Sequence, residues 1–216
     1  MSSFKSRGLF VCIEGCDRAG KSTQAKLLVE YIKSLGRAVE HFRFPDRSTA
    51  IGKCIDSYLQ GTSDLEDHAI HLLFSANRWE AVPKMKRLLH SGTCIITDRY
   101  AFSGVAFTAA KGYDTTWCMN PERGLPLPDL TVYLDISTEK ASKRSEFGEE
   151  RYENSEFQEK VSKKYQELIT KDWKVIDATQ SIEKIHQEIK DAVDIVQKSV
   201  INNNELLKEL WTWPQL

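Results

Sequence analysis

The amino-acid sequence predicts an α/β fold in which helices cover both faces of a central parallel sheet. Short, largely apolar runs at Leu9–Ile13, Thr93–Asp98 and Leu130–Asp135 have the pattern of strands that are buried on both faces. Segments with apolar residues at helical spacing follow these runs. This alternation of strand and helix is typical of βαβ units, so parallel strands joined by helices are expected.

The first apolar run, Leu9–Ile13, ends in a glycine-containing turn and is expected to be the central strand. A helix is predicted at Lys21–Leu35, and Gly36 provides a natural end for it. Its apolar residues recur at i, i+3, i+4 and i+7, namely Ala25, Leu28, Val29 and Ile32. The next strand is predicted at Ala38–Phe44 and ends at Pro45.

Two helices are predicted next, at Asp64–Trp79 and at Pro83–Leu89, the second beginning with proline. Further strands are expected at Thr93–Asp98, Leu130–Asp135 and Trp173–Asp177. The last of these precedes a helix whose apolar residues are Ile182, Ile185, Ile189, Val193 and Val196.

Two segments have compositions that do not fit this alternation. Residues 111–128 contain glycine and proline and are expected to be mobile. Residues 139–153 carry nine charged residues in fifteen, which indicates either a solvated helix or a lid over a ligand. Composition alone favours the solvated helix.

Length and composition indicate one enzyme-sized domain over residues 1–216, with 41% hydrophobic residues. Thirty basic and thirty-one acidic residues give a net charge of −1, so a nucleic-acid partner is not expected. The sequence has no apolar run of about 20 residues, so no membrane partner is expected either. Five cysteines without a C-x-x-C pair predict free thiols and a cytoplasmic protein, with nuclear and mitochondrial pools left open.

The clearest motif is Gly15-Cys16-Asp17-Arg18-Ala19-Gly20-Lys21-Ser22, which fits G-x-x-x-x-G-K-[ST] between a predicted strand and a predicted helix. In such a P-loop the backbone N–H groups and the helix N-terminus bind phosphate oxygens. Lys21 adds a positive charge, and the Ser22 hydroxyl is a ligand for Mg²⁺. The motif therefore predicts a nucleoside triphosphate site, the alternative being a tight turn without function.

A second requirement of such a site is a carboxylate that positions magnesium from the end of another strand, where Asp98 lies. Asp98 is also a good helix N-cap, whatever the function. If Tyr100–Ala110 is helical, Arg99, Ser103 and Phe107 lie along one face over about 12 Å, close to the length of a nucleotide. A guanidinium, a hydroxyl and an aromatic ring along one face suit that ligand.

Further candidate ligands come from three other places in the chain. Phe74 and Arg78 stand at i and i+4 on a predicted helix, where they would meet one planar base, although a helical aromatic is more often a core residue. Arg47 follows the strand that ends near Pro45, and ligands of α/β proteins bind beyond the carboxyl ends of strands. Arg18, inside the loop, is placed to reach a terminal phosphate.

Together these motifs resemble those of the eukaryotic thymidylate kinases over about residues 9–190. The resemblance is carried by the P-loop with Glu14 before it and Thr23 after it, by Phe44-Pro45-Asp46-Arg47, by Leu73-Phe74-Ser75-Ala76-Asn77-Arg78-Trp79 and by Asp98-Arg99-Tyr100-Ala101-Phe102-Ser103-Gly104. It implies the P-loop nucleoside monophosphate kinase fold, with a lid at about 137–155 and a C-terminal extension at about 200–216. It also implies a homodimer that transfers the γ-phosphoryl group of ATP to dTMP with Mg²⁺.

The resemblance also implies a role for each matching residue. Arg18, Lys21, Asp98 and Arg99 are the expected catalytic residues, and Ser22 and Asp98 the expected magnesium ligands. ATP would be bound by Gly15, Cys16, Asp17, Arg18, Ala19, Gly20, Lys21, Ser22, Thr23 and Arg144, with residues 178–181 along its base. The dTMP ligands would be Asp17, Arg47, Phe74, Arg78, Arg99, Ser103, Phe107 and Tyr152.

Several alternatives stay open at this point. A GTPase switch is disfavoured because its only D-x-x-G match lies inside the P-loop and no N-K-x-D element is present. A kinase that also accepts dUMP, or a nucleotide-binding interaction protein without catalysis, remains an alternative. A metal site at Asp67, His68 and His71 fits helical spacing, although solvent-exposed histidines on an amphipathic helix explain it more simply.

Two further expectations concern residues outside these roles. Cys16 lies near a helix N-terminus and Lys21, an environment that lowers a thiol pKa, so we expect that alkylation of Cys16 inactivates the enzyme, the alternative being an inert turn residue. The C-terminal apolar residues Leu206, Leu207, Leu210, Trp211 and Trp213 are expected to pack on the body of the protein.

Overall fold

A five-stranded parallel sheet forms the centre of the protein in the computed structural model, which describes residues 6–144, 150–202 and 206–212. Its strands are β1 (Phe10–Glu14), β2 (Val39–Arg43), β3 (Cys94–Asp98), β4 (Leu130–Asp135) and β5 (Trp173–Asp177). They lie in the order β2-β3-β1-β4-β5, and all four pairings are parallel. The predicted α/β class and the central position of the first strand are both confirmed.

Helices pack on both faces of this sheet. Those of the described chain are α1 (Lys21–Ser34), α2 (Ala50–Leu59), α3 (Asp67–His90), α4 (Ala101–Ala109), α5 (Thr115–Met119), α6 (Thr138–Ser142), α7 (Ser155–Leu168) and α8 (Ile182–Asn202). Because side chains alternate along a strand, Val11 and Ile13 pack with α1 and α8, whereas Phe10 and Cys12 pack with α3, α4 and α7. The sheet thus separates two apolar cores.

Helix α3 runs without a break through Pro83, so the prediction of two helices here is wrong. Proline has no N–H to give to the carbonyl of Trp79, but Pro83 is on the exposed side of the helix, where a carbonyl without a helical partner is tolerated. Val82 and Met85 are buried on the opposite side and hold both halves of the helix against the core.

Helix α2 was not predicted, although its sequence carries the signals for one. The hydroxyl of Thr49 accepts a hydrogen bond from Gly52 N at 2.9 Å, which is N-cap geometry. Ile55, Tyr58 and Leu59 are buried and follow helical spacing. This helix covers the far side of the cleft described below.

Residues 111–128 contain regular structure, in contrast to the mobile segment that we expected. Helix α5 is capped by Asp114, whose carboxylate accepts from Trp117 N at 2.7 Å, and a 3-10 turn follows at Asn120–Glu122. Cys118, Glu122 and Leu125 are completely buried. Hydrogen bonds between nearby residues and buried side chains therefore order a segment whose composition is typical of a loop.

The chain end packs on the body of the protein, as predicted. Leu210 is buried, and its backbone exchanges hydrogen bonds with Gly124 and Leu125 at 2.9 and 2.7 Å. The Trp211 ring lies edge-on to Phe102 at 5.5 Å. Leu207 also packs on this core, whereas Leu206 is exposed and Trp213 lies outside the described residues.

All five cysteines are free thiols, as the sequence predicted. Within the described ranges, no helix combines the length and the apolar character needed to cross a bilayer.

Candidate active site

The P-loop closes tightly between β1 and α1 because glycine occupies its two ends. A Cβ atom on Gly15 would lie 2.7 Å from the carbonyl oxygen of Leu134, and Gly15 and Gly20 both have positive φ angles. Helix α1 begins directly after Gly20, at Lys21, so its N-terminus points into the loop. Lys21 folds back over the loop, where Nζ donates to the carbonyl of Cys16 at 2.5 Å.

Burial changes the ionisation of Lys21. Loss of hydration and, secondly, the positive charge of Arg99 lower the pKa of Lys21 to about 8, against the opposing effect of Asp17 and Asp98. A bound phosphate would return a negative charge to this position. The lysine is thus held where it needs an anionic ligand to remain fully charged above pH 8.

Ser22 and Asp98 lie together at the floor of the cleft, as the motif predicted. The Ser22 hydroxyl donates to Asp98 Oδ2 at 2.5 Å, and Asp98 is 2% exposed. Strand β1 pairs in parallel with β3, which sets Ile13 beside Asp98. The carboxylate at the end of β3 therefore lies next to the P-loop that follows β1, where Ser22 contacts it. A hydroxyl and one carboxylate fit Mg²⁺, which takes one or two protein carboxylates and completes its shell with water and substrate phosphates.

The predicted row of Arg99, Ser103 and Phe107 is present beside the P-loop. Arg99 Nη1 donates to Ser103 Oγ at 3.1 Å and to the Gly15 carbonyl at 3.0 Å. Its Nη2 pairs with the carboxylate of Asp17, and the guanidinium lies 5.2 Å from the centre of the Phe107 ring. Arg99 itself precedes α4 and has a φ of 67°, a conformation that non-glycine residues rarely adopt.

Glu14, to which the sequence reading gave no role, holds this row in place. Its carboxylate is completely buried and accepts from Tyr100 N at 2.9 Å and Ser103 N at 3.2 Å. It also accepts from the hydroxyls of Ser103 at 2.6 Å and Tyr165 at 2.8 Å. A carboxylate at the end of β1 therefore caps α4 and stabilises the turn that carries Arg99.

Gln158 is a second residue that the sequence reading missed. Its side-chain oxygen accepts from Asp17 N at 3.0 Å, and its nitrogen donates to Asp17 Oδ2 at 2.6 Å and to the Tyr152 carbonyl at 2.9 Å. Gln158 is buried on α7. It ties the P-loop to the segment that carries Tyr152.

On the other side of the cleft, Arg47 and the α3 residues form a second half-site. Arg47 Nη1 pairs with Asp56 at 2.6 Å and Nη2 with Glu150 at 2.7 Å. Phe74 and Arg78 stand one helical turn apart on α3, as predicted. Arg78 is buried and forms a two-bond ion pair with Glu122, another residue that the sequence reading missed.

Charged residues of the predicted lid segment also reach the P-loop. Arg18 pairs with Glu153 at 3.0 Å. Arg144 donates to the carbonyls of Arg18 at 2.6 Å and Ala178 at 2.8 Å. Arg144 thus connects the loop with the start of 178–181, although residues 145–149 of the predicted lid lie outside the described residues.

One continuous cavity of about 780 Å³ contains both half-sites, a volume in the usual range for small-molecule sites. Every candidate residue except Gly15 and Cys16 lines it. The lining members are Asp17, Arg18, Ala19, Gly20, Lys21, Ser22, Thr23, Arg47, Phe74, Arg78, Asp98, Arg99, Ser103, Phe107, Arg144 and Tyr152.

The premise that Cys16 has a lowered thiol pKa is wrong. Cys16 is 3% exposed, and its burial raises the thiol pKa more than the charge of Lys21 lowers it. The sulfur lies 4.0 Å from the hydroxyl of Tyr133 and 3.9 Å from the carbonyl of Gln158. It packs inside the loop and points away from the cavity lining.

The alternative metal site on α3 is also wrong. His71 is buried between Thr108 Oγ1 at 2.8 Å and the Cys118 carbonyl at 2.9 Å, whereas Asp67 pairs with Lys111. His68 contacts Glu66. Across the described ranges, no group of three or more His, Cys, Asp and Glu side chains is arranged to hold a metal ion.

Comparisons with known proteins agree on one family. The sequence model of thymidylate kinase matches residues 13–189. The chain is 51% identical to the thymidylate kinase of Danio rerio and 48% identical to that of Homo sapiens, in each case over 95% of this chain and 98% of the relative. Among solved structures, the thymidylate kinase of Candida albicans superposes with a TM-score of 0.84 at 36% identity, covering 94% of this chain and 98% of that chain.

Proposed function

Because the chain belongs to the thymidylate kinase family, we propose that it transfers the γ-phosphoryl group of ATP to dTMP in the cleft described above. The products are dTDP and ADP, so the protein is a nucleotide kinase that supplies dTTP biosynthesis. The observation that carries this assignment is that the P-loop lysine, the Ser22–Asp98 pair and six arginines line one cavity. A binding protein without catalysis has no need of that complete set.

On the ATP side, Lys21, Arg18 and the loop N–H groups bind the phosphoryl group that moves. The attacking group is a phosphate oxygen of dTMP, which is already anionic, so the chemistry needs positioning and charge neutralisation more than a general base. Ser22 and Asp98 would hold Mg²⁺, which when bound neutralises charge on the ATP phosphates. Arg144 and residues 178–181 border the adenine base.

On the dTMP side, Arg47 and Arg99 bind the 5′-phosphate. Their present partners support this role, since Asp56, Glu150 and Asp17 are anionic groups already paired with these guanidiniums. All of these pairs are partly exposed to solvent, and pairs of that kind are weak enough for a phosphate to replace the carboxylate.

The remaining dTMP ligands surround the sugar and the base. Phe74 stacks on thymine, and Arg78 donates to a carbonyl oxygen at its edge. Asp17 accepts from the sugar 3′-hydroxyl, and three further residues complete the pocket, namely Ser103, Phe107 and Tyr152. Supporting this arrangement, the Tyr152 ring lies 5.5 Å from that of Phe107, so the aromatic groups form one wall.

The proposed homodimer has a candidate surface on α3. Leu72 and Trp79 lie seven residues apart on this helix, Leu65 lies seven residues earlier just before its start, and the three side chains are 48%, 38% and 36% exposed. Apolar residues at this spacing on a long helix suit contact with a second copy of the same helix.

We further propose that residues 1–216 form one catalytic domain with a lid at about 137–155. We also propose that the protein acts in the cytoplasm, where five free cysteines remain reduced.

The proposal is tested by measuring ADP release with ATP and Mg²⁺ in parallel reactions containing dTMP, dUMP, dCMP, dGMP, AMP or no acceptor. We expect rapid turnover with dTMP, slower turnover with dUMP and little with the others. The missing methyl group of dUMP costs about 1–3 kcal/mol of discrimination in an apolar pocket. ADP release at the same rate with and without an acceptor would identify an NTPase, and no release in any reaction would contradict a kinase.

A further inference from the structure

Arg78 is paired with a residue that is even more buried than itself. Its Nε donates to Glu122 Oε2 at 2.8 Å, and its Nη2 donates to Oε1. The two side chains are 2% and 0% exposed. Two parallel hydrogen bonds fix the plane of a guanidinium as well as its position.

Glu122 is itself tied to the helix that carries Arg78. The carbonyl oxygen of Pro121 accepts from Ser75 Oγ at 2.9 Å and from Trp79 Nε1 at 2.7 Å. Ser75 and Trp79 flank Arg78 in the α3 sequence. The backbone just before Glu122 therefore keeps a fixed position relative to Arg78.

Gly104 limits Arg78 from the opposite side. A Cβ atom built on this glycine of α4 would lie 3.1 Å from Arg78 Cζ and 3.3 Å from Nη1, closer than ordinary side-chain contacts. The guanidinium therefore packs directly on the Gly104 backbone. With Glu122 holding two N–H groups, Arg78 has no room to turn away from the cavity that it lines.

We propose that Glu122 is a positioning residue that determines which nucleobase is accepted, because it fixes Arg78. This inference rests on the proposed function, in which Arg78 contacts the base of dTMP. A guanidinium only donates hydrogen bonds. The carbonyl at ring position 4 of thymine accepts one, whereas the amino group at the same position of cytosine is itself a donor, and a fixed Arg78 would then face it without a partner.

Uracil provides an internal comparison for this proposal. It carries the same carbonyl as thymine at position 4 and lacks only the methyl group at position 5. Loosening Arg78 should therefore lower the preference for dTMP over dCMP. The preference for dTMP over dUMP should stay unchanged. A general weakening of the fold would reduce turnover of all three nucleotides in proportion.

The experiment measures kcat/KM for dTMP, dUMP and dCMP, together with KM for ATP, in the wild-type protein, Glu122→Gln and Glu122→Asp. The control is Glu209→Gln, which removes a half-exposed carboxylate that pairs with Lys86 and does not touch Arg78. In Glu122→Gln we expect the dTMP-to-dCMP ratio to fall at least about tenfold, because one guanidinium N–H then opposes an amide donor. The dTMP-to-dUMP ratio and KM for ATP should stay within about twofold. Glu122→Asp keeps a carboxylate acceptor for Arg78 but is one methylene shorter, so it should lose less of the dTMP-to-dCMP ratio than Glu122→Gln.

An unchanged dTMP-to-dCMP ratio in folded Glu122→Gln, or equal losses for all three nucleotides, would overturn the inference. If Glu122→Gln does not fold, Ser75→Ala decides, since it keeps both charges and removes one bond to Pro121. A smaller ratio of kcat/KM for dTMP to kcat/KM for dCMP in Ser75→Ala supports the proposal, and an unchanged ratio overturns it. A wild-type protein that fails to phosphorylate dTMP would instead contradict the proposed function.

Discussion

Replacing Glu14 should separate the role of its charge from the role of the donors that it satisfies. Glu14→Ala removes the acceptor of two buried backbone N–H groups, those of Tyr100 and Ser103. It also removes an acceptor of two hydroxyls, but Ser103 Oγ and Tyr165 OH lie 2.7 Å apart and can bond to each other.

The size of the effect follows from these four donors. A buried donor without a partner costs about 1–3 kcal/mol, so the two N–H groups alone predict a loss of about 4 kcal/mol in the free energy of unfolding. Glu14→Gln keeps an acceptor for both N–H groups, and its amide can donate to the two hydroxyls. Loss of the charge alone should cost about 1–2 kcal/mol.

Urea denaturation of the two variants measures both values, with Glu30→Ala as the control. Glu30 is exposed on α1 and pairs only with Lys33 among the described contacts, so its replacement should change the unfolding free energy by less than about 0.5 kcal/mol. The reasoning is refuted if Glu14→Ala is as stable as the control. Equal losses in Glu14→Gln and Glu14→Ala would show that charge, and not the number of satisfied donors, dominates.

Three further predictions concern binding and assembly. Since the pKa of Lys21 is lowered to about 8 by burial and by Arg99, kcat/KM for ATP should be constant below pH 8 and fall about tenfold per pH unit above it. A profile that stays flat to pH 10 would contradict a charged lysine as the ATP ligand. Arg99→Ala should abolish dTMP turnover while ATP binding, measured by calorimetry, survives; equal loss of both would assign Arg99 to the ATP site or the core. Leu72→Glu should convert a dimer into a monomer in light scattering, whereas Leu35→Glu, which is equally exposed on another surface, should leave the dimer intact.

Local patterns predicted the sheet and the P-loop because both are encoded by neighbouring residues. The strand at Leu130–Asp135 follows from one apolar run, and the loop from one eight-residue motif. The contact between Ser22 and Asp98 was also predictable, because parallel strands end at one edge of a sheet.

The residues that hold the site in place were not predictable, because their partners are distant in the sequence. Glu14 bonds to a backbone group 86 residues away, Arg78 to Glu122 over 44 residues, and Gln158 to Asp17 over 141. A single glutamate or glutamine in the sequence carries no sign of such a partner. The Cys16 prediction failed for a related reason, since the tertiary packing that buries this thiol is absent from the local sequence.

The arginines of the cleft divide into two kinds by the exposure of their ion pairs. Arg47, Arg18 and Arg99 pair with carboxylates while their side chains stay 31%, 26% and 17% exposed. Such partly exposed pairs cost less to break than a fully buried one, so an incoming phosphate can replace the carboxylate.

Arg78 differs, because breaking a fully buried pair costs about 3–5 kcal/mol. Exchangeable pairs therefore suit the arginines that must release and rebind phosphate in each cycle, since the carboxylates balance their charge while the cleft is empty. A permanent pair suits an arginine that reads a neutral base, because its donors must keep one orientation whether or not the nucleotide is bound. The same residue type thus serves two tasks in one cavity, and the burial of both partners sets the Arg78–Glu122 pair apart from the others.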